Sequence, residues 1–189
     1  TIHQIELRLI LEEKTISSEI IYQGNVISLK VDTVELRNGI ISTREIINHN
    51  GSVAIVALDN DNLSLLMVRQ YRKAVEEAVL EVPAGTLEIN EDPIICAHRE
   101  LEEETGYVAN HMEKIGSIMV SPGFLDEKTD IYFAKDLYLG NINPDEDEVL
   151  LLEKYSIQEI LDLINREILT DAKTIAAIHY AIQKGKISI

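Results

Sequence analysis

The chain has 189 residues, 46% of them hydrophobic, and a formal net charge of −16. That hydrophobic share is enough for a real core, which argues against disorder, and the length fits one domain or one domain with a small appendage. The charge argues against non-specific binding to nucleic acid or to an anionic membrane. No apolar run approaches the roughly 20 residues that span a bilayer. The opening residues lack the basic and apolar regions of a secretory signal. The single cysteine, Cys96, excludes an internal disulfide framework and fits a reducing compartment, so the expected location is cytoplasmic. An anionic substrate would be repelled by such a protein except where arginines or a cation reverse the local charge.

In chain order, the stretch to about Asn50 predicts short antiparallel strands. Ile27, Leu29 and Val31 alternate with Ser28, Lys30 and Asp32, a half-buried strand pattern. Asn38-Gly39 between two β-rich runs predicts a two-residue type I′ hairpin. A few strands with one hairpin bury little surface alone, so this piece is expected to pack on the main domain, on a second subunit, or on both. Asn50-Gly51 marks the boundary, dividing the chain into residues 1–50 and 51–189.

Strands are predicted over 52–58, 63–71 and 78–82, with a turn at 59–62. Pro83-Ala84-Gly85 reads as a loop. A helix then starts with Asp92 as N-cap and Pro93 at its first position, and stops at Gly106. Further strands are expected around 115–120, 131–138 and 149–153. Ser156 and Glu159 form a capping box for a helix to about Arg166, and a last helix runs from Thr170 or Asp171 to Lys184, closed by Gly185. Strands and helices mix without a regular βαβ repeat, which predicts an α+β protein: a central mixed sheet with helices on its faces, plus the small N-terminal antiparallel sheet.

The helix from Pro93 to Thr105 is charged the wrong way round. Glu100, Glu102, Glu103 and Glu104 crowd its last two turns, where the helix dipole disfavours each acid by roughly several tenths of a kcal/mol. Glu100 also faces Glu103 and Glu104 at i+3 and i+4, where like charges repel. Glu102 points to the solvated side. An exposed glutamate-rich helix is the plain alternative, since glutamate is a good helix former. Against it, next to nothing local neutralises the three converging carboxylates, and a hard divalent cation would. Arg99 lies on another face and is placed to brace a carboxylate or the preceding loop. Gly85 permits close backbone approach to a metal or phosphate, the Ala84 carbonyl offers one more oxygen ligand, and Glu91 is placed to reach back to the loop.

Gly85, five residues, Glu91, seven residues, then Arg99-Glu100-Leu101-Glu102-Glu103-Glu104-Thr105-Gly106-Tyr107 resembles the complete Nudix box, matching every fixed position of that 23-residue signature. The resemblance implies a Nudix fold, an α/β/α sandwich, with a loop–helix–loop that binds Mg²⁺ (or Mn²⁺) and hydrolyses a nucleoside diphosphate linked to another group. By position it implies Glu100, Glu103, Glu104 and the Ala84 carbonyl as metal ligands.

Pro122 follows Tyr107 by fifteen positions, within Ser121-Pro122-Gly123-Phe124-Leu125-Asp126-Glu127. This run resembles the ADP-ribose pyrophosphatase subfamily, as do Val68-Arg69-Gln70-Tyr71-Arg72, Glu81-Val82-Pro83-Ala84-Gly85 and Asp145-Glu146-Asp147-Glu148. The likeness implies ADP-ribose as substrate and a homodimer that exchanges the N-terminal sheet. Arg44 and Glu45 would reach the partner's substrate site, and Arg72, Gly85 and Glu127 would line the diphosphate or ribose pocket. Arginine suits phosphate because its planar fork donates two hydrogen bonds at once. For Arg44 and Arg72 the plain alternative is a salt bridge. Glu103 competes with Glu146 or Glu148, on the acidic loop, for the role of water-activating base. Rival readings keep the reaction with GDP-mannose, NADH, FAD or a diadenosine polyphosphate as substrate, or make the chain a non-catalytic ADP-ribose-binding module or a calcium-buffering acidic protein. Cys96 reads as a small core filler, and the five histidines show no zinc-like spacing.

Overall fold

The computed structural model describes residues 11–140 and 149–188. They divide into two compact units. One holds the described residues up to Asn50 together with Ser121–Glu127, and the other holds Gly51–Val120 with the described residues from Lys128 onward.

The first unit is a three-stranded antiparallel sheet in the order β1 (Lys14–Gln23), β2 (Ile27–Glu35), β3 (Ile41–His49). Every residue of β1 is exposed, including Ile16, Ile20 and Ile21. The β2–β3 hairpin differs from the predicted type I′ turn. Only Gly39 has a positive φ, and the Gly39 amide donates to the Leu36 carbonyl at 2.8 Å while the Leu36 amide donates to Ile40. The turn is therefore one residue longer, with the glycine alone taking the left-handed position that Asn38 was expected to share. Segment 121–127 lies along β3: the Ile47 amide donates to the Phe124 carbonyl (2.7 Å), the Asp126 amide donates to Ile47, and the Asp126 carboxylate accepts from Asn48 and the His49 amide.

The second unit is a seven-stranded mixed sheet. Its main path runs β10 (Leu150–Ser156), β5 (Ser64–Arg72), β4 (Ser52–Leu58), β9 (Lys128–Leu139), β8 (Tyr107–Met119). Strand β6 (Glu77–Glu81) pairs with β5, and β7 (Ala84–Thr86) pairs with β4. Only β4 and β9 run parallel. Strand β4 is buried along its whole length, and its alternating residues feed two cores. Ala54 and Val56 face helices α2 (Ile157–Asn165) and α3 (Ala172–Gln183), packing with Ile160, Ala177 and Ile178. Val53, Ile55 and Ala57 face helix α1 (Pro93–Thr105), packing with Cys96, Ala97 and Leu101. The result is the helix–sheet–helix sandwich that the sequence pattern predicts.

The caps are those read from the sequence. Asp92 accepts from the Ile94 amide, Ser156 and Glu159 form a reciprocal capping box, and Asp171 accepts from the Thr174 amide. Strand β8 is longer than predicted: it begins directly after Gly106, whereas the local pattern supported only residues from 115. It pairs with β9 from Tyr107↔Leu139 to Met119↔Lys128, so a long ladder overrides the weak strand preference of residues such as Asn110. A bulge at Lys114–Gly116 interrupts that ladder, and Gly116 leaves room for the Tyr180 ring, which a Cβ would strike at 2.7 Å. No helix among the described residues is long and apolar enough to cross a membrane.

Pro83-Ala84-Gly85, read as a loop, instead enters strand β7 because Ala84 and Gly85 pair with β4, and one side chain ties α3 to the residue between β6 and Pro83. The buried Thr174 hydroxyl accepts from the Val82 amide at 2.9 Å and donates to Asp171 at 2.6 Å. Thr174→Val keeps the shape but leaves the Val82 amide without its acceptor, a cost of about 1–3 kcal/mol. A lower urea midpoint with an unchanged m-value is expected; an unchanged midpoint refutes the role.

Candidate active site

Helix α1 buries two sets of side chains. Cys96, Ala97 and Leu101 enter the core, while Glu100 and Glu104 are also buried, 9% and 8% exposed, but turn toward β7. The Ala84 amide donates to a Glu104 carboxylate oxygen at 3.0 Å. Gly85 adopts no positive φ; its lack of a side chain matters for another reason. A Cβ there would fall inside the Glu100 carboxylate. What this glycine lets approach the backbone is therefore a glutamate of the helix. The register Val53↔Gly85 and Ala54↔Ala84 fixes this short strand on the buried β4.

Arg99 corrects the expectation that little neutralises the glutamates. Its Nε and Nη2 each donate to Glu91 at 2.9 Å, a bidentate pair. Its Nη1 donates to Glu100 at 2.7 Å and to Glu103 at 2.9 Å. Nη2 also reaches the Thr86 carbonyl at 3.4 Å. One guanidinium thus holds the loop glutamate and two helix glutamates together, bracing both candidates named from the sequence. Glu91 also accepts from the Glu88 amide, closing the loop before the helix. Glu102, expected on the solvated side, is half-buried beside Gly140. Burial pushes the Cys96 thiol well up, as suits a core filler and not a nucleophile.

The structure sets Ala84 and Gly85 of β7 against Glu104 and Glu100 of α1, and Arg99 links Glu103 to Glu100. The donors fit a hard divalent cation in their chemistry, since all are carboxylate or carbonyl oxygens, and the Glu100 carboxylate takes the space beside Gly85 that a Cβ would fill. As they stand, Glu104 is engaged by the Ala84 amide, and Glu100 and Glu103 by Arg99. Among the described residues no three acidic, histidine or cysteine side chains are gathered closely enough to enclose an ion. Arg72 is also in this unit and grips the buried Glu81 through Nε (2.8 Å) and Nη2 (2.7 Å). Arg44 lies in the other unit, in an exposed pair with Glu13 and on the Thr43 carbonyl. Glu45 is exposed on β3, and Glu127 is half-buried at the end of segment 121–127. Glu146 and Glu148 fall outside the described residues.

Two residues escaped the sequence reading. Glu81 is 1% exposed, and Lys173 donates to both Glu81 and Asp171. The signal for Glu81 was present: a charged residue at the end of an otherwise apolar predicted strand is almost never buried unless paired. Lys173 gave no such sign, because its partner lies 92 positions away.

The Glu91 pair has a pH signature. The hydrogen bonds from Arg99 lower its carboxyl from 4.5 to about 2. A depressed folded-state value adds stability that is complete above the unfolded value and is lost as pH falls through the folded one. The stability difference between wild type and Glu91→Gln is therefore expected to be full at pH 6 and to shrink between pH 4.5 and about 2. A difference in urea midpoint that stays constant across that window refutes this.

The Nudix domain profile matches residues 48–177, and that of the nucleoside diphosphate sugar hydrolase N-terminal domain matches residues 13–47. The chain is 47% identical over 171 residues to the methanol dehydrogenase activator of Bacillus methanolicus, covering 89% of this chain and 92% of that one. It is 44% identical over 172 residues to the ADP-ribose pyrophosphatase of Bacillus subtilis (strain 168), covering 90% and 92%. A solved ADP compounds hydrolase superposes with a TM-score of 0.83 over 93% of this chain and 96% of that one; at 24% identity this speaks for the fold. By the domain profile and these identities, the chain belongs to the Nudix hydrolase family.

Proposed function

We propose that this Nudix hydrolase cleaves the diphosphate of ADP-ribose with Mg²⁺, giving AMP and ribose 5-phosphate. The observation that carries the reaction class is the face of α1 that buries Glu100 and Glu104 against Ala84 and Gly85. The substrate rests on the 44% identity to the Bacillus subtilis enzyme. That face also argues against a pure binding module, which has no need of buried carboxylates, and the described residues contain no EF-hand ligand loop, Leu63 standing where Asp59-x-Asp61 would need its third ligand.

Members of this family generally work with a divalent metal. Glu100, Glu103, Glu104 and the Ala84 carbonyl would hold it here, and Mn²⁺ is the natural substitute for Mg²⁺. When bound, the cation offsets diphosphate charge and makes the attacked phosphorus more electrophilic. The chain's own residues do the rest. Arg99 keeps Glu100 and Glu103 on one side of the helix. A glutamate takes the proton of the attacking water as its oxygen adds to one phosphorus and the bridging P–O bond breaks. Glu103 is one candidate for this base, and Glu146 or Glu148 is the other. Arg72 and Glu127 are assigned to the substrate as binding groups, and Arg44 and Glu45 to the substrate site of a second copy of the chain. The N-terminal region, residues 1–50, is assigned to exchange between two copies of the chain, which the exposed Ile16, Ile20 and Ile21 of β1 support.

Incubation with ADP-ribose and Mg²⁺ should release AMP and ribose 5-phosphate, and a chelator should stop it. Glu103→Gln and Glu104→Gln should each lower kcat by about 10²-fold or more while the melting temperature holds. Near-normal turnover by both variants at saturating Mg²⁺ would remove these residues from the mechanism. Faster cleavage of GDP-mannose, NADH or FAD in the same assay would keep the reaction and change the substrate. Sedimentation should show a dimer at micromolar concentration; a monomer there rules out the exchange.

A further inference from the structure

An arginine that binds phosphate must be aimed, and it must keep some charge to offer. Arg72 closes β5, opposite Glu77 of β6. Two of its guanidinium nitrogens, Nε and Nη2, are committed to Glu81. A lone arginine–glutamate pair is neutral overall and attracts an anion weakly. Glu81, however, has a second cation. Lys173, in the first turn of α3, donates to the same Glu81 oxygen that accepts from Arg72 Nη2. The Glu81 carboxylate is 2% exposed and the Lys173 side chain 20%, while Arg72 keeps 40% of its side chain exposed. The lysine is therefore the inner neutralising partner and the arginine the outer one.

Asp171 is a second anion in this cluster and brings its four side chains to formal neutrality, but among the described contacts it binds Lys173 and not Arg72. It accepts from Lys173 at 3.0 Å, but its carboxylate also accepts from the Thr174 amide and hydroxyl at the positive end of α3. Burial raises the Glu81 carboxyl, and Arg72 and Lys173 pull it back below its ordinary value, so it is a true anion held between two cations. Arg72 also feels the charges of Glu104 and Asp171, after that of Glu81.

We propose that Glu81 and Lys173 are positioning residues for Arg72. Glu81 fixes the plane of the guanidinium through two nitrogens and leaves Nη1 for an anionic oxygen. Lys173 neutralises Glu81, so that Arg72 presents its charge to the substrate and does not spend it on the protein. The inference rests on the reading of Arg72 as a group that binds the diphosphate.

The test is a double-mutant cycle on ADP-ribose hydrolysis at saturating Mg²⁺, with Arg72→Ala, Lys173→Met and the two combined. Lys173→Met should raise KM about five- to tenfold with kcat within about twofold, the pattern of lost binding and not of lost chemistry. In the Arg72→Ala background it should add nothing, because the lysine acts only through the arginine. Lys173→Arg should restore KM. Lys173→Gln, which keeps a donor without the charge, should behave as Lys173→Met and stands in for it if the methionine variant does not fold. The Mg²⁺ concentration giving half-maximal activity should stay put in every lysine variant. If Arg72→Ala raises KM while Lys173→Met and Lys173→Gln do not, the inference is overturned and the role of Arg72 stands. The same KM increase with and without Arg72 also overturns it, since a structural defect would act that way. If Arg72→Ala leaves KM unchanged, the substrate role of Arg72 fails first and this inference fails with it.

Discussion

The site depends on one side chain, the guanidinium of Arg99. Glu91 in the loop and Glu100 and Glu103 on α1 all accept from it, at 2.7–2.9 Å. A lysine would not serve, since a point charge has no fork to span a bidentate carboxylate on one edge and two more on another. The guanidinium does two things at once. It closes the loop onto the helix, and it holds two like-charged groups at a helix end where both repulsion and the dipole oppose them.

The sheet explains why this can happen at a buried position. Strand β4 is sealed on both faces, and β7 is tied to it by the pairs at Ala84 and Gly85. Leu101 and Ala97 anchor α1 on the same sheet from one side, which sets the height of the helix above β7. Burying a leucine-sized chain such as Leu101 contributes about 2 kcal/mol, and contacts of this kind hold the helix in place. Glu100 and Glu104, one turn apart, then meet backbone on β7 and not water. Glycine at 85 is a requirement of that closeness, because any larger residue would displace the Glu100 carboxylate. Packing therefore places the carboxylates, and Arg99 and the Ala84 amide set their direction.

Much of this was legible in the sequence because it is local. Asp92, Pro93 and Gly106 mark both ends of α1 at the residues found, and the Ser156–Glu159 capping box and the Asp171 cap do the same for α2 and α3. The burial of β4 follows from an unbroken apolar run. The first half of β8 was hidden, because its ladder to β9 comes from residues far along the chain and not from its own propensity. The hairpin at Gly39 was read one residue too short, because asparagine tolerates the left-handed conformation without requiring it. Within the site, spacing put Glu100 and Glu104 one turn apart, and both are buried toward β7, while Glu103 turns to Arg99. Spacing missed that Arg99, one residue before Glu100, turns far enough to reach both Glu100 and Glu103, because helical periodicity gives the direction of a Cβ and not the reach of a long flexible side chain.

The net charge of −16 looks at first like an obstacle to an anionic substrate. Within the second unit the described contacts show how it is managed. Arg99 spends its charge inward, on Glu91, Glu100 and Glu103, and has little left to offer a phosphate. Arg72 and Lys173 share one buried carboxylate, so Arg72 is not that carboxylate's sole cation, while Lys173 also pairs with Asp171. Both arginines sit against glutamates, yet they do opposite work. The first gathers carboxylates with a cation already among them, and a divalent ion would have to compete with that cation or draw the glutamates from it. The second is held in place by a glutamate that another cation already satisfies. Long-range charge therefore says little about this site; what decides it is how many partners each glutamate has within hydrogen-bond distance.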